Sequence, residues 1–385
     1  MDRTLSELNH SSGLSLKLVD FTFEEFLQVR DSWDDALQRS LDNNVFLTWE
    51  WLSAWWKSFG TGRRFLLTAL ADGEKIHAAA PLMYSAYNLF GFRLKRVDFI
   101  GSPESDYQSF LLTEKGAEHV SVMVDHVCDI VPDWNLIDLW DIPGDSETAS
   151  ALKNTSTKSA KFEHRVTDTS PAIRLPANST DFLESIDSHF RKNLRWRERR
   201  LKRDFAVDFK VVADPGAVND AMRIFIDLHQ RRRASKKPPG IFSDQRMIDF
   251  HSRVASSFAE RGWLLLAFLM LNNSPAAAYY NFRYANKLYS YQSGFDPEYT
   301  RYGVGSVLDM YLIDYCIRNG VREYDFCRGD EPYKAQWRTV SRDNLQFTAA
   351  KRNVVSQLAK LISRNDRIAE ALGRHASRGR PNGQT

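Results

Sequence analysis

The chain has 385 residues, 43% apolar, 12% aromatic and 26% charged, with a net charge of +3. That length exceeds what one core usually serves, so two domains are expected, and the composition excludes a disordered chain. Three scattered cysteines (Cys128, Cys316 and Cys327) exclude a disulfide framework or a CxxC zinc site, and no metal is expected.

The opening segment lacks the apolar centre of a signal peptide. A helical pattern runs from Phe23 to about residue 41, followed by NVFLTWEWLSAWWKSFG (44–60), whose aromatics recur near helical spacing and stop at Gly60. This aromatic stretch reads as core. Two apolar runs joined by Ala-Asp-Gly-Glu across 65–84 signal a hairpin. RVDFIG, a short strand QSFLL, a helix at 115–130 and a strand at 135–140 complete the first half. The polar segment from Gly144 to about residue 159 reads as a loop or crossover.

The second half opens with a helix DFLESIDSHF (181–190) leading into a basic helix, RKNLRWRERRLKR (191–203). A strand at 207–213 follows, then helices after Asp214-Pro215 and after Ser243. WLLLAFLMLNNSPAAAYYNFRY (263–284) gives two strands across an Asn-Asn-Ser turn, and KLYSYQSGF (287–295) gives a third. A helix at 304–319 and a strand at 323–327 come last. The longest apolar run, Trp263 to Leu271, is far below the roughly 20 residues of a membrane helix, and a cytoplasmic location is expected. Both halves repeat strand, turn, Ala-Ala-Ala, strand, strand, helix, strand, which predicts a duplicated α/β unit with mixed sheets.

Two clusters carry chemistry. In SGFDPEYTRYGVGSV (293–307) a strand ends, a loop with Gly303 and Gly305 follows, and a helix begins near Val304. Glycines there let the backbone approach an anion, and the first helical turn offers N–H groups at the positive end of the dipole. In EYDFCRGDEPYKAQW (323–337), Arg328, Asp330, Glu331, Tyr333 and Lys334 crowd just beyond a strand end. Glu331 or Tyr333 is a candidate general acid or base, and Lys334 or Arg328 a candidate anion holder. His229 is a further candidate base, since its ordinary pKa suits that task. The basic blocks at 191–203 and 230–237 read either as a polyanion face or as solvated helix faces.

The six residues Thr300-Arg301-Tyr302-Gly303-Val304-Gly305 resemble the [Gln/Arg]-x-x-Gly-x-[Gly/Ala] acyl-CoA loop of the GNAT superfamily. Both glycines match, Thr300 stands where the family has Gln or Arg, and Arg301 lies one residue late. FLTWEW (46–51), YQSGFDPEY (291–299) and GDEPYKAQW (329–337) resemble the CelD/BcsL-type acetyltransferases, which are similar to the FemAB-like transferases. The resemblance spans about residues 20–350 and implies an α/β (α+β) chain of two tandem GNAT-like domains with mixed, mostly antiparallel sheets flanked by helices. Domains are expected at 15–165 and 166–365, with a basic tail at 366–385.

The resemblance implies acyl transfer from acetyl-CoA or another acyl-CoA to an amine or hydroxyl. Arg301, Tyr302, Gly303, Val304, Gly305 and Ser306 would bind the donor, and the acceptor is a small molecule or glycan, such as a sugar bound for an exopolysaccharide or cellulose. Two alternatives stand beside it. One is an aminoacyl-tRNA-dependent peptidyl transferase of the FemAB kind, with the basic helix on RNA phosphates. The other is a GNAT-like protein that binds a partner and catalyses nothing.

Overall fold

The computed structural model describes residues 7–9, 15–89, 92–114, 116–234 and 240–364. In chain order they form β1 (Glu7–Asn9), β2 (Ser15–Phe21), α1 (Phe23–Gln28), α2 (Arg30–Arg39), α3 (Trp49–Phe59), β3 (Arg63–Asp72), β4 (Lys75–Leu89), β5 (Phe92–Phe99), β6 (Leu111–Leu112), α4 (Ala117–Ile130), β7 (Leu136–Pro143), α5 (Glu147–Asn154) and β8 (Glu163–Arg174). There follow α6 (Ser179–Ser185), α7 (Ser188–Asp204), β9 (Val207–Val212), α8 (Val218–Arg233), α9 (Gln245–Glu260), β10 (Leu264–Leu271), β11 (Ser274–Tyr284), β12 (Lys287–Phe295), α10 (Val304–Arg318), β13 (Glu323–Asp325), α11 (Pro332–Ala335), β14 (Val340–Ala350) and α12 (Val354–Arg364). The basic tail and the second basic block's lysines lie outside the described residues.

The chain divides into two compact units, one reaching Asp168 and resuming at Asp343, the other Thr169–Arg342. The sequence placed 343–364 with the second domain. Those residues group with the first because β14 pairs antiparallel with β7, from Asn344↔Pro143 to Ala350↔Leu136.

In the first unit the strands run β1-β2-β3-β4-β5-β7-β14, antiparallel except for the β5–β7 pair, which α4 connects. The second unit runs β8-β13-β12-β11-β10-β9, again antiparallel except for one parallel pair, β12–β13, connected by α10. The order β3-β4-β5-α4-β7 thus recurs as β10-β11-β12-α10-β13, and both units carry a mixed, mostly antiparallel sheet with helices. The aromatic stretch of the first unit is core: Trp51 and Trp55 are buried, their indole N–H groups donating to Ser105 Oγ (2.8 Å) and Glu104 Oε2 (2.6 Å).

Local chemistry moves several expected boundaries. The helix at 181–190 is two helices, because Asp187 turns out of α6 and accepts from the N–H groups of His189 and Phe190 to cap α7. The helix from Phe23 likewise breaks at Val29. The polar stretch after Gly144 holds α5, capped by Ser146.

Strand alternation decides what faces the site. Adjacent tyrosines on β11 point to opposite faces of the sheet, as the two-residue period requires. Tyr279 packs with α10 residues Val304, Val307 and Leu308, whereas Tyr280 meets Phe225 of α8 and His251 of α9, with ring centroids 5.5 and 5.7 Å apart.

Candidate active site

At the end of β12 the chain makes a 3-10 turn over Pro297–Tyr302, capped by Asp296, and enters α10 through Gly303. Gly303 has φ +67, the left-handed conformation that lets the chain reverse without a Cβ penalty. As the residue before α10 it has no side chain to cap the helix, so the N–H groups of Val304, Gly305 and Ser306 point out of the first turn. The turn is an anion cradle in form.

The basic helix α7 supplies its positive charge. The Arg197 guanidinium donates to Ser306 Oγ at 3.1 Å and lies so close over the turn that a Cβ at Gly303 would stand 2.8 Å from its Cδ and Nη1. Arg200 donates to the Arg301 carbonyl (3.2 Å) and lies 4.7 Å over the Tyr302 ring. Tyr302 is buried and donates to Asp204 Oδ2 at 3.0 Å, while Arg301 reaches the Tyr302 hydroxyl at 3.3 Å. Elsewhere in the block, Lys202 pairs with Glu198 and Arg203 with Asp204 on the surface. Within the basic block, then, Arg197 and Arg200 lie against this turn, Arg191 donates to the Leu183 carbonyl at 3.0 Å, and Lys202 and Arg203 are paired at the surface.

Beside the cradle the sheet opens. β12 and β13 pair over only three positions, Lys287↔Glu323 to Tyr289↔Asp325; beyond that β12 runs on to Phe295 while β13 ends. Asp309, on the second turn of α10, is 2% exposed and accepts from the Tyr324 hydroxyl at 3.2 Å. Nearby on β11, the Tyr279 hydroxyl donates to the Gly305 carbonyl at 3.1 Å. Burial pushes the Asp309 carboxyl up to about 7, against the hydroxyls of Tyr279 and Tyr324 and the nearby charges of Arg232 and Lys334. Arg232 itself, on α8, donates to the Ser293 carbonyl (3.3 Å) and packs over Phe295.

The GDEPYK segment forms a tight loop into α11. Lys334 is buried and committed: its ammonium donates to the carbonyls of Arg328 (3.0 Å) and Gly329 (3.1 Å) and pairs with Glu331 at 2.7 Å. Its charge is spent inside the loop. Tyr333 is 40% exposed, and burial of its hydroxyl with the charges of Asp309 and Glu331 pushes its pKa up, so it stays protonated. Cys327, two residues beyond β13, is buried with φ +57, its N–H held by Asp325 Oδ1 at 2.7 Å.

His229 lies apart from this group, 2% exposed on the α8 face, edge-on to Phe242 with centroids 4.9 Å apart. Burial, then Arg233 and Arg232, pull its pKa down to about 3, so at neutral pH it is an uncharged packing residue and a weak base. Sequence reasoning missed Tyr279, Asp309, Arg197 and Arg232. A signal for Asp309 was available: an acid between Leu308 and Met310 on the apolar stripe of a helix, a place an acid avoids without partners.

Residues 188–335 match the family model of the acetyltransferase (GNAT) domain. No curated protein matches the chain. Among solved structures, the crystal structure of FemX is similar at 12% identity, covering 90% of this chain and 100% of that one with a TM-score of 0.62. L-PGS from Bacillus licheniformis is similar at 11% identity, over 87% of this chain and 96% of that one, TM-score 0.54. So is the C-terminal domain of a putative lysylphosphatidylglycerol synthetase from Agrobacterium fabrum, at 10% identity over 88% and 95%, TM-score 0.54. At such identities these likenesses establish a shared fold. The match of residues 188–335 to the acetyltransferase (GNAT) domain, within a fold shared with these structures, supports an acyltransferase.

Proposed function

We propose that the protein transfers an acyl group, with acetyl the first candidate, from CoA to an amine or hydroxyl. One observation carries the reading: the Arg197 guanidinium sits over the left-handed Gly303 and bonds Ser306, aiming a fixed positive charge at the open first turn of α10. Residues 303–306 would hold the donor pyrophosphate through backbone N–H groups, with Arg197 beside them. Arg301 is turned onto Tyr302 and serves to brace the loop.

In this reading the chain positions both reactants where β12 and β13 part, and direct attack on the thioester follows. Tyr333, held protonated, is suited to donate a hydrogen bond to the charge that develops on carbonyl oxygen or leaving sulfur. Glu331 and Lys334 keep the Tyr333 loop in shape. A sugar or polysaccharide precursor as acceptor follows from the CelD/BcsL resemblance and belongs to the same proposal, as does a cytoplasmic location. Among the described residues no helix is long and apolar enough to cross a membrane.

A second reading, an aminoacyl-tRNA donor as the FemAB resemblance implies, is favoured by Trp196, 51% exposed with Arg200 stacked on its ring. Calorimetric titration with acetyl-CoA of the wild type and of Gly305→Glu separates the two. Binding by the wild type, lost in the variant, is the expected result. No binding by folded wild type, with salt-sensitive tRNA binding instead, would overturn it in favour of the second reading.

A further inference from the structure

We propose that the outer face of α12 lays the first unit onto an anionic lipid surface, with Val354, Leu358 and Leu361 entering the interface and Arg93 and Arg352 meeting the headgroups. A helix at a protein's surface normally turns a polar face outward. α12 turns an apolar one. Val354, Leu358 and Leu361 are 84%, 39% and 67% exposed, and their spacing of four and three residues puts them on one stripe. Nine large apolar side chains are exposed among the described residues, and three of them stand on this one helix. Clustering of that kind marks a contact surface, where scattered exposure would not.

The stripe is not a core face left unburied. The opposite side of α12 is already packed: Ala359 and Ile362 join Leu94 of β5 and Leu136 of β7 in a small apolar cluster. Polar bonds then fix the rotation of the helix. Ser363 Oγ donates to Asp138 Oδ2 at 2.7 Å and accepts from Gln346 Nε2 at 2.8 Å, and Ser356 Oγ accepts from Asn135 Nδ2 at 3.3 Å. Both serines are fully buried. Rolling α12 inward to cover Leu361 would break these bonds, so the stripe stays outside.

Charge decides what covers it. Arg352, two residues before Val354, is exposed and makes no ion pair among the described residues. The same holds for Arg93, exposed on β5 beside the Leu94 that packs on the helix. Of the acids nearby, Asp133 pairs with Lys95, and the single carboxylate of Glu163 is shared by Lys360 and Arg364. The rim of the stripe is therefore positive. Past Arg364, outside the described residues, the sequence keeps that sign, with Arg367, Arg374, Arg378 and Arg380 against Asp366 and Glu370. A second copy on the stripe would bring like charges together. Three side chains per copy also fall well short of the roughly 800 Å² that a stable pair buries on each partner. An anionic bilayer meets neither objection: each cation near it adds attraction, and an apolar stripe need enter only the headgroup boundary. A second apolar element ends close by. β4 and β5 pair out to Leu89↔Phe92, two residues from Leu94 and so about 7 Å along the strand, and the sequence at that end reads Leu-Phe-Gly-Phe.

Flotation of the full chain with vesicles of phosphatidylcholine alone, or with about 30% phosphatidylglycerol added, reads the contact. The expected result is binding to the anionic vesicles only, weakening as salt rises from about 0.05 to about 0.5 M. Leu361→Gln should weaken that binding about tenfold and Arg352→Gln about fivefold. Both side chains are exposed, so the thermal midpoints of the variants should match the wild type's. No binding, equal binding to neutral vesicles, or binding that both variants keep overturns the proposal. A dimer that Leu361→Gln dissociates assigns the stripe to a second copy instead. A thermal midpoint that Leu361→Gln lowers assigns it to the chain's own residues after Arg364, and either result overturns the lipid contact.

Discussion

Gly294 of β12 lies against the backbone of His229 in α8: a Cβ at Gly294 would stand 2.4 Å from the His229 nitrogen and 2.7 Å from the Leu228 carbonyl carbon. Both obstacles are backbone, so no side chain can rotate aside. Gly294→Ala is expected to cost at least about 1–3 kcal/mol, because a whole helix must shift. A urea midpoint that falls well below the wild type's would bear this out. Gly305→Ala is the contrast, since its nearest neighbour is the Tyr279 hydroxyl at 3.5 Å, and its midpoint should barely move.

Arg197→Ala removes the guanidinium from the cradle and is expected to weaken acetyl-CoA binding about tenfold to a hundredfold, the worth of one charge-assisted hydrogen bond. The loss should shrink as salt rises. Arg203→Ala, on the same helix but paired with Asp204 at the surface, should bind like the wild type. Equal effects in the two variants would mean that only the net charge of α7 matters.

Two buried histidines make the second unit sensitive to acid. Burial lowers both His229 and His251 to about 3, whereas the unfolded chain binds their protons below about 6.5. The unfolded state therefore holds more protons through that window, and stability is lost as pH falls from about 6.5 toward 3. At about pH 4.5 the loss is roughly 2–3 kcal/mol for each histidine. Thermal midpoints of the wild type and His251→Phe at neutral and acid pH test this, and the variant's acid-induced drop should be smaller.

Asp309 works in the opposite sense. Its folded carboxyl titrates at about 7 and its unfolded one at about 4, so the folded state holds the extra proton between those values. Stability falls as pH rises through that window, and the deficit persists above it. Asp309→Asn should exceed the wild type in stability by about 1–3 kcal/mol at about pH 8 and lose that advantage near pH 5. A variant less stable at both values would show that the carboxyl's hydrogen bonds outweigh its burial.

The readable parts of the fold were those with local signals. The hairpins β3–β4 and β10–β11 announced themselves by apolar runs on either side of polar turns, and α10 by Gly303 before it and Gly305 in its first turn. β14 was missed because its partner is far away: Asn344 pairs with Pro143, and the strand's first residues, Val340 to Asp343, are polar or exposed. β8 escaped for a related reason, its start being exposed and Pro171 sitting within it.

The site was legible where one segment built it. Gly303 to Ser306 could be proposed from the sequence because a turn of this kind is made by consecutive backbone. Asp309, Tyr279, Tyr324 and Arg232 come from four elements, and only folding brings them together. His229 and Lys334 drew attention by residue type, yet burial fixes the first as neutral and three acceptors occupy the second.

The return of 343–364 to the first unit has a consequence for synthesis. As the chain leaves the ribosome, β7 emerges without its antiparallel neighbour β14, which follows only after all of 169–342 has been made. The second unit is contiguous and can close its core as soon as its last residues appear. The first unit begins earlier and finishes later. Until then it carries an unpaired strand edge, the kind of surface that chaperones hold and that aggregation exploits. A stop codon just after the second unit would therefore damage the unit already translated ahead of it.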